Sequence, residues 1–184
     1  MSFINWLYRR VGKRLLDIGL ACVGLVGMAL PMAAIALWIA WESKSSPFFR
    51  QIRIGRSGLP FRIMKLKTMS SDQRVSSFGK GLRATAMDEL PQLFQILAGQ
   101  MSFVGPRPIV PEELAQLDQF PDGRRRLAAR PGLTGLAQIC GPKTPALAER
   151  LRWDLEYVDR CGLSLDLGIL LKSVEISCRG AWGK

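Results

Sequence analysis

The 184 residues include no histidine. A Ser-His-Asp triad, a Cys-His dyad and a histidine-ligated zinc are therefore excluded, and any catalysis falls to carboxylates, Lys, Tyr, Ser/Thr or Cys. Cysteine is scarce: the four, at positions 22, 140, 161 and 178, form neither a C-x-x-C pair nor a compact disulfide framework, and read as small buried apolar side chains in a reducing compartment. Acidic residues are nearly missing from the first half. Met1 to Arg83 holds fourteen Lys and Arg against three Asp and Glu, and the remainder balances at twelve of each, so the net charge of +11 lies wholly in the first half. Repeats and low-complexity tracts are absent. Hydrophobic residues make up 48% of the chain, which excludes a disordered basic tail and, at this length, fits one folded unit.

The longest uncharged run, Ile18 to Trp41, covers 24 residues. As a helix it would reach roughly 36 Å, enough to cross a hydrocarbon core. A cleaved signal peptide would be shorter, and basic sequence follows where a cleavage site would be expected. Pro31, near the middle, lacks an amide hydrogen and is expected to break or kink the helix. Arg9, Arg10, Lys13 and Arg14 precede the run and Lys44, Arg50, Arg53 and Arg56 follow it. The positive-inside rule does not separate two such ends, as expected when both stay on the cytoplasmic face. On this pattern a kinked single span and a segment that enters, turns at Pro31 and returns are both open. Trp38 and Trp41, with Phe3, Ile4, Trp6 and Leu7 ahead of the first basic cluster, suit an interfacial belt or an amphipathic N-terminal segment.

From Phe49 to Ile54 and from Phe61 to Lys67 the residues roughly alternate around a Gly/Pro-containing stretch, which predicts a β-hairpin. Arg50 to Lys67 carries six cations and no acid, a face suited to phosphate or anionic lipid. Met69 to Gly81 is polar and reads as a loop. Leu90, Leu93, Phe94 and Leu97 share one face of a helix that Asp88 and Glu89 would open. Further helices are expected behind Pro111, behind Pro145 with Leu147, Leu151, Leu155 and Val158, and behind Ser164 with Leu167, Leu170, Leu171 and Val174.

Asp88-Glu89 is the pair with most chemical content. Two adjacent carboxylates at a helix start stay ionised under the helix dipole and attract a divalent cation, and Asp is a known nucleophile toward phosphorus; they also read simply as favourable first-turn acids. Val104-Gly105-Pro106-Arg107-Pro108 and Arg130-Pro131-Gly132-Leu133-Thr134-Gly135 each hold an arginine beside Pro and Gly, either as an ordinary turn or as a rigid bidentate phosphate clamp. Gly105 and Gly132 allow tight turning or close backbone approach to a ligand. Neither stretch is a Walker loop or dinucleotide fingerprint.

In order along the chain, Lys13-Arg14-Leu15-Leu16-Asp17, Pro31, Phe61 to Met69, Asp88-Glu89-Leu90-Pro91-Gln92-Leu93, Met101 to Pro108, Arg130 to Gly135 with Gln138, and Asp154-Leu155-Glu156-Tyr157-Val158 followed by Leu165-Asp166 resemble the monotopic phosphoglycosyl transferases, or bacterial sugar transferases. The resemblance implies transfer of a phosphosugar from a UDP-sugar to a polyprenol phosphate such as undecaprenyl phosphate, with release of UMP, Mg²⁺ as cofactor and a ping-pong route. It makes Asp88 the nucleophile and Glu89 its partner in metal binding or proton handling, both holding Mg²⁺. Lys65, Lys67, Arg83, Arg107 and Arg130 become phosphate contacts, with Pro108, Thr134 and Gln138 of the same motifs completing the set.

The implied fold is mainly α with a small β-hairpin. A re-entrant helix-break-helix (residues 1–46, broken at Pro31) dips into one leaflet of the bacterial inner membrane, and interfacial amphipathic helices and a small catalytic part (47–184) lie on the cytoplasmic face as one integrated minimal unit. Assembly into a homo-oligomer is left open, and no nucleic acid is expected. Three positions depart from the family pattern: Leu30 where a small polar residue precedes the break proline, Ala86 where Ser is common, and Gln100 where Asp is common. Two other classes compete. A membrane-associated nucleic-acid or anionic-lipid binding module would be salt-sensitive and indifferent to Asp88→Asn, and few aromatics interleave the basic hairpin for base stacking. A catalytically dead scaffold would keep the fold and lose UMP release, against the intact Asp88-Glu89.

Overall fold

The computed structural model describes residues 3–69, 75–141 and 146–182, with side chains from Asn5 onward. α1 (Phe3–Leu7) passes through one π-helical turn, Tyr8–Gly12, into α2 (Lys13–Ser43). Asn5–Ser43 forms one helix apolar and long enough to cross a membrane. The chain does not unwind at Pro31, where proline still permits a bend within continuous helix. Helical structure continues on both sides of it, since one lost hydrogen bond in a helix of 31 residues leaves the neighbouring ladder to hold the register.

The flanks of α2 meet the rest of the protein and its middle does not. Ala21 and Leu25 pack with Phe61, Ile63, Leu93, Ile96 and Met101. Ile35, Ala36 and Ile39 pack with Phe48, Leu66, Leu82 and Met87. Between these contacts every residue from 26 to 31 is exposed. Three of the four preceding cations turn inward, so that flank is in part a packing device. Arg9 donates to the carbonyls of Asp159 and Cys161 at 2.6 and 2.7 Å. Lys13 donates to Asp166 at 2.6 Å, and Arg14 to the carbonyls of Ile96 and Leu97 at 2.5 and 2.6 Å.

The hairpin is present: β1 (Phe48–Ile54) pairs antiparallel with β2 (Pro60–Leu66), from Phe48 opposite Leu66 to Ile54 opposite Pro60. α3 (Ser77–Ala84) occupies ground expected to be loop, because Ser76 Oγ caps it by accepting from the Gly79 amide at 2.9 Å. The first part of that loop, residues 70–74, lies outside the described residues.

A 3₁₀ turn, Met87–Gln92, leads into α4 (Leu93–Leu97). The tighter 3₁₀ winding shifts the phase of the apolar residues. Leu93 and Ile96 are buried and Phe94 is exposed, contrary to the single α-helical face expected.

α5 (Pro111–Gln116), α6 (Leu136–Cys140), α7 (Leu147–Arg160) and α8 (Leu163–Cys178) complete the helices; Pro145 lies outside the described residues. α8 buries Asp166 and Ile169, while Leu167, Leu171 and Val174 face outward.

The two arginine turns form a small parallel pair, which sequence periodicity did not announce. β3 (Ser102–Val104) lies beside β4 (Gly132–Thr134). The Gly105 amide donates to Thr134 O and the Gly132 amide to Pro106 O, both at 2.9 Å. A Cβ on Gly105 would stand 2.3 Å from Arg130 O, and one on Gly132 would stand 2.2 Å from Gly105 N. Both glycines therefore serve the approach of one backbone to the other.

Candidate active site

Ala86 adopts φ 58°, ψ 18°, a left-handed conformation uncommon for a residue with a Cβ. It turns the chain out of α3, and the Glu89 amide then donates to Ala86 O at 3.1 Å. Asp88 is thereby carried inward, 8% exposed. Burial first, then the neighbouring Glu89 charge, pushes its carboxyl up to about 6, against the opposing pull of Lys65 and Arg83.

Lys65, near the end of β2, ion-pairs with Glu89. Arg83, in the last turn of α3, donates from Nε to Thr68 Oγ1 at 2.8 Å. A narrow cleft of about 10 Å³ beside the pair is lined by Arg53, Ile63, Lys65, Glu89, Gln92, Arg107 and Pro108, with Gly132 and Leu133 from the second glycine turn. Three cations and one carboxylate at a single opening favour a ligand carrying more than one phosphate charge.

Arg107 is placed from behind. Arg126 donates to the Arg107 carbonyl at 2.8 Å and to Asp154 at 2.6 Å, and both partners of that ion pair are buried. The Asp154 motif thus fixes a turn and does not face the cleft as a reactive acid.

Glu89, Lys65, Arg107 and Pro108 line this cleft, and the Lys65 and Arg83 charges both act on the adjacent Asp88. Lys67 instead donates to Ser45 Oγ at 3.0 Å, just beyond the end of α2. Arg130 donates from Nε to Gly99 O at 3.0 Å and lines a different cavity. The Thr134 hydroxyl lies 2.6 Å from that of Ser173, and Gln138 Nε2 donates to Leu133 O at 3.3 Å. These last two brace the turn.

Two cleft residues were missed. Arg53 donates to Gln51 Oε1 at 2.7 Å and to Pro108 O at 3.3 Å, and burial followed by repulsion from Arg107 lowers the pKa of its guanidinium. Strand alternation carries its signal: opposite Phe61, it shares the β2 face that ends in Lys65. Gln92 is buried with Nε2 unpartnered, and its uncharged side chain gave no signal.

Among the described residues no group of three or more acids, cysteines or histidines converges. Mg²⁺ commonly takes one or two protein carboxylates and completes its shell with water and phosphate oxygens. The adjacent Asp88 and Glu89, crowded in charge, fit an ion shared with a phosphate-bearing substrate.

The bacterial sugar transferase family profile matches residues 8–180. The UDP-glucose:undecaprenyl-phosphate glucose-1-phosphate transferase of Caulobacter vibrioides is 38% identical over 185 residues, covering 88% of this chain and 68% of that protein. A protein of the same name from Xanthomonas campestris pv. campestris is 34% identical over 184 residues, covering 89% of this chain and 38% of its own length. The exopolysaccharide production protein ExoY of Sinorhizobium fredii is 32% identical over 202 residues, with 94% and 88% covered.

Proposed function

The chain belongs to the bacterial sugar transferase family, and on that premise we propose that it is an enzyme moving a sugar 1-phosphate from a UDP-sugar to undecaprenyl phosphate or a similar polyprenol phosphate. The observation that carries the reading is Asp88, buried and, among the described residues, outside any ion pair, next to a Glu89 held by Lys65 at a cationic cleft.

In the first step an oxygen of ionised Asp88 attacks the sugar-linked phosphorus. A carboxylate–phosphorus bond forms, the bond from that phosphorus to the bridging oxygen breaks, and UMP leaves. In the second step a phosphate oxygen of the polyprenol phosphate attacks the same phosphorus, releases Asp88 as carboxylate and leaves a polyprenol diphosphate sugar. Arg53, Lys65 and Arg107 hold the diphosphate and stabilise its developing charge, each preorganised cation contributing on the order of 3 kcal/mol to the barrier. Mg²⁺ held by Asp88 and Glu89 would neutralise phosphate charge and favour UMP as leaving group.

The acceptor is a lipid, so the site belongs at a membrane surface. The contacts of α2 support entry and return on one face: both flanks pack on the same body, and only the apolar middle, residues 26–31, projects free. A spanning helix would carry its ends to opposite sides. The enzyme then sits on the cytoplasmic side of the bacterial inner membrane, dipping into one leaflet, with the start of α2 at headgroup level.

The test is UMP release by the full chain in nanodiscs with Mg²⁺ and undecaprenyl phosphate, across a panel of UDP-sugars beginning with UDP-glucose. Release with one donor, lost in Asp88→Asn, and an intact-mass increase equal to one phosphosugar on the wild type are expected. Release that survives Asp88→Asn sinks the mechanism.

A further inference from the structure

At the turn end of the hairpin lies a second, open cavity of about 450 Å³ that shares no lining residue with the cleft at Glu89. Leu59 and Phe61 form apolar wall, Gly99 and Gln100 come from the loop after α4, and Arg56 and Arg130 supply charge. Arg14 stands behind Gly99, its guanidinium 3.5 to 4.0 Å from where a Cβ on that residue would be.

No carboxylate lines the cavity. Burial, then Arg56, then Arg14 make the Arg130 guanidinium less basic, and only Asp17 opposes them. Asp17 is itself engaged with the hydroxyl of Ser102 and the amide of Phe103, both at 2.9 Å. The Arg56 and Arg130 guanidinium groups at this opening, with Arg14 behind them bound to the carbonyls of Ile96 and Leu97, repel one another, and an anion relieves that repulsion. Gln100 sets a neutral, exposed side chain at this opening and leaves the arginine charge there uncompensated.

We propose that this cavity binds the phosphate of an anionic membrane lipid, and that Gln100 is what leaves it open to that ligand. Arg14 lies one helical turn before Ile18, where the apolar run begins, and Leu15 and Ile18 are exposed beside it. Lipid phosphates lie at that depth. Leu59 and Phe61 offer apolar contact to the glycerol and upper acyl chain, and the arginines take the phosphodiester. The choice of a lipid over a free phosphate rests on the membrane placement of α2 proposed above; the anion site itself rests on the cavity.

The full chain is titrated by calorimetry in neutral detergent with short-chain phosphatidylglycerol, with phosphatidylcholine of equal chain length and with inorganic phosphate, and Arg56→Gln and Gln100→Asp are compared with wild type. Both positions are exposed and lie outside the catalytic cleft, so wild-type rates of UMP release in the variants certify the fold. Saturable binding of phosphatidylglycerol, weakened about fivefold or more by each substitution, is expected. Equal affinity in wild type and both variants overturns the site, and inorganic phosphate binding as tightly as phosphatidylglycerol overturns the lipid assignment. Flotation with phosphatidylcholine vesicles reads the membrane placement separately.

Discussion

Lys65 pairs with Glu89 and not with Asp88. The two neighbouring acids are thereby given different work: Glu89 is fixed by its cation, while Asp88 keeps its carboxylate available in a buried setting. Replacing Lys65 by Gln should lower the rate of UMP release by about 10²-fold or more. Because the Lys65 charge opposes the rise in Asp88's pKa, its loss should also move the acid limb of the pH–rate profile to higher pH. An unmoved limb would remove Lys65 from the electrostatics of the nucleophile.

Asp88 costs the fold stability when ionised. Its carboxyl titrates near 3.8 when unperturbed and near 6 in the folded protein. The folded state thus binds the proton more tightly, and this group's destabilising effect is full above pH 6 and fades as pH falls toward 3.8. Without divalent cation, Asp88→Asn should raise stability near neutral pH by at most about 3 kcal/mol, with the gain vanishing near pH 4. Thermal melts in EDTA at the two pH values are the check.

Breaking the buried pair of Arg126 and Asp154 on one side costs more than the intact pair contributes. Removing one partner alone, as in Asp154→Leu, should destabilise by about 3 to 5 kcal/mol, and the double replacement Arg126→Met with Asp154→Leu should recover much of that loss. Denaturant titration of the three variants measures it. Where the double variant folds, its KM for the UDP-sugar should still rise, because the Arg107 carbonyl has lost its donor.

Gly132→Ala and Gly81→Ala should have opposite signs. A Cβ on Gly132 would sit against backbone at 2.2 Å and one on Gly81 meets nothing within 4 Å. The first should abolish folding, and the second should stabilise α3 by about 0.5 to 1 kcal/mol. Expression yield and melting temperature separate them.

The acid pair proposed to be catalytic and the cations beside it stood out because short-range sequence writes them: Asp88 and Glu89 are adjacent, and Lys65 and Arg107 sit in compact motifs. The hairpin and later helices followed from periodicity. One reading failed and two were incomplete, for reasons that are not local. Phe94 was placed in the core because a 3₁₀ turn changes phase without a sequence mark. Arg9, Lys13 and Arg14 read as a membrane flank, although their partners lie far along the chain. Arg130, Thr134 and Gln138 were grouped with the phosphate contacts, yet their motif interlocks with the other glycine turn and braces it. Spacing identifies residues that act together but does not say whether they face a ligand or each other.

The hydrogen bonds from Tyr8 and Lys13 to Asp166 join residues 158 and 153 positions apart. At the usual pace of a ribosome the acceptor emerges on the order of 10 to 30 s after its donors. For that interval α2 exists without the carboxylate that receives its N-terminal end, and Tyr8 and Lys13 wait for their partner. Docking of α8 is then a late event of biogenesis, and a chain stalled or truncated ahead of Asp166 would leave Tyr8 and Lys13 without the carboxylate that receives them.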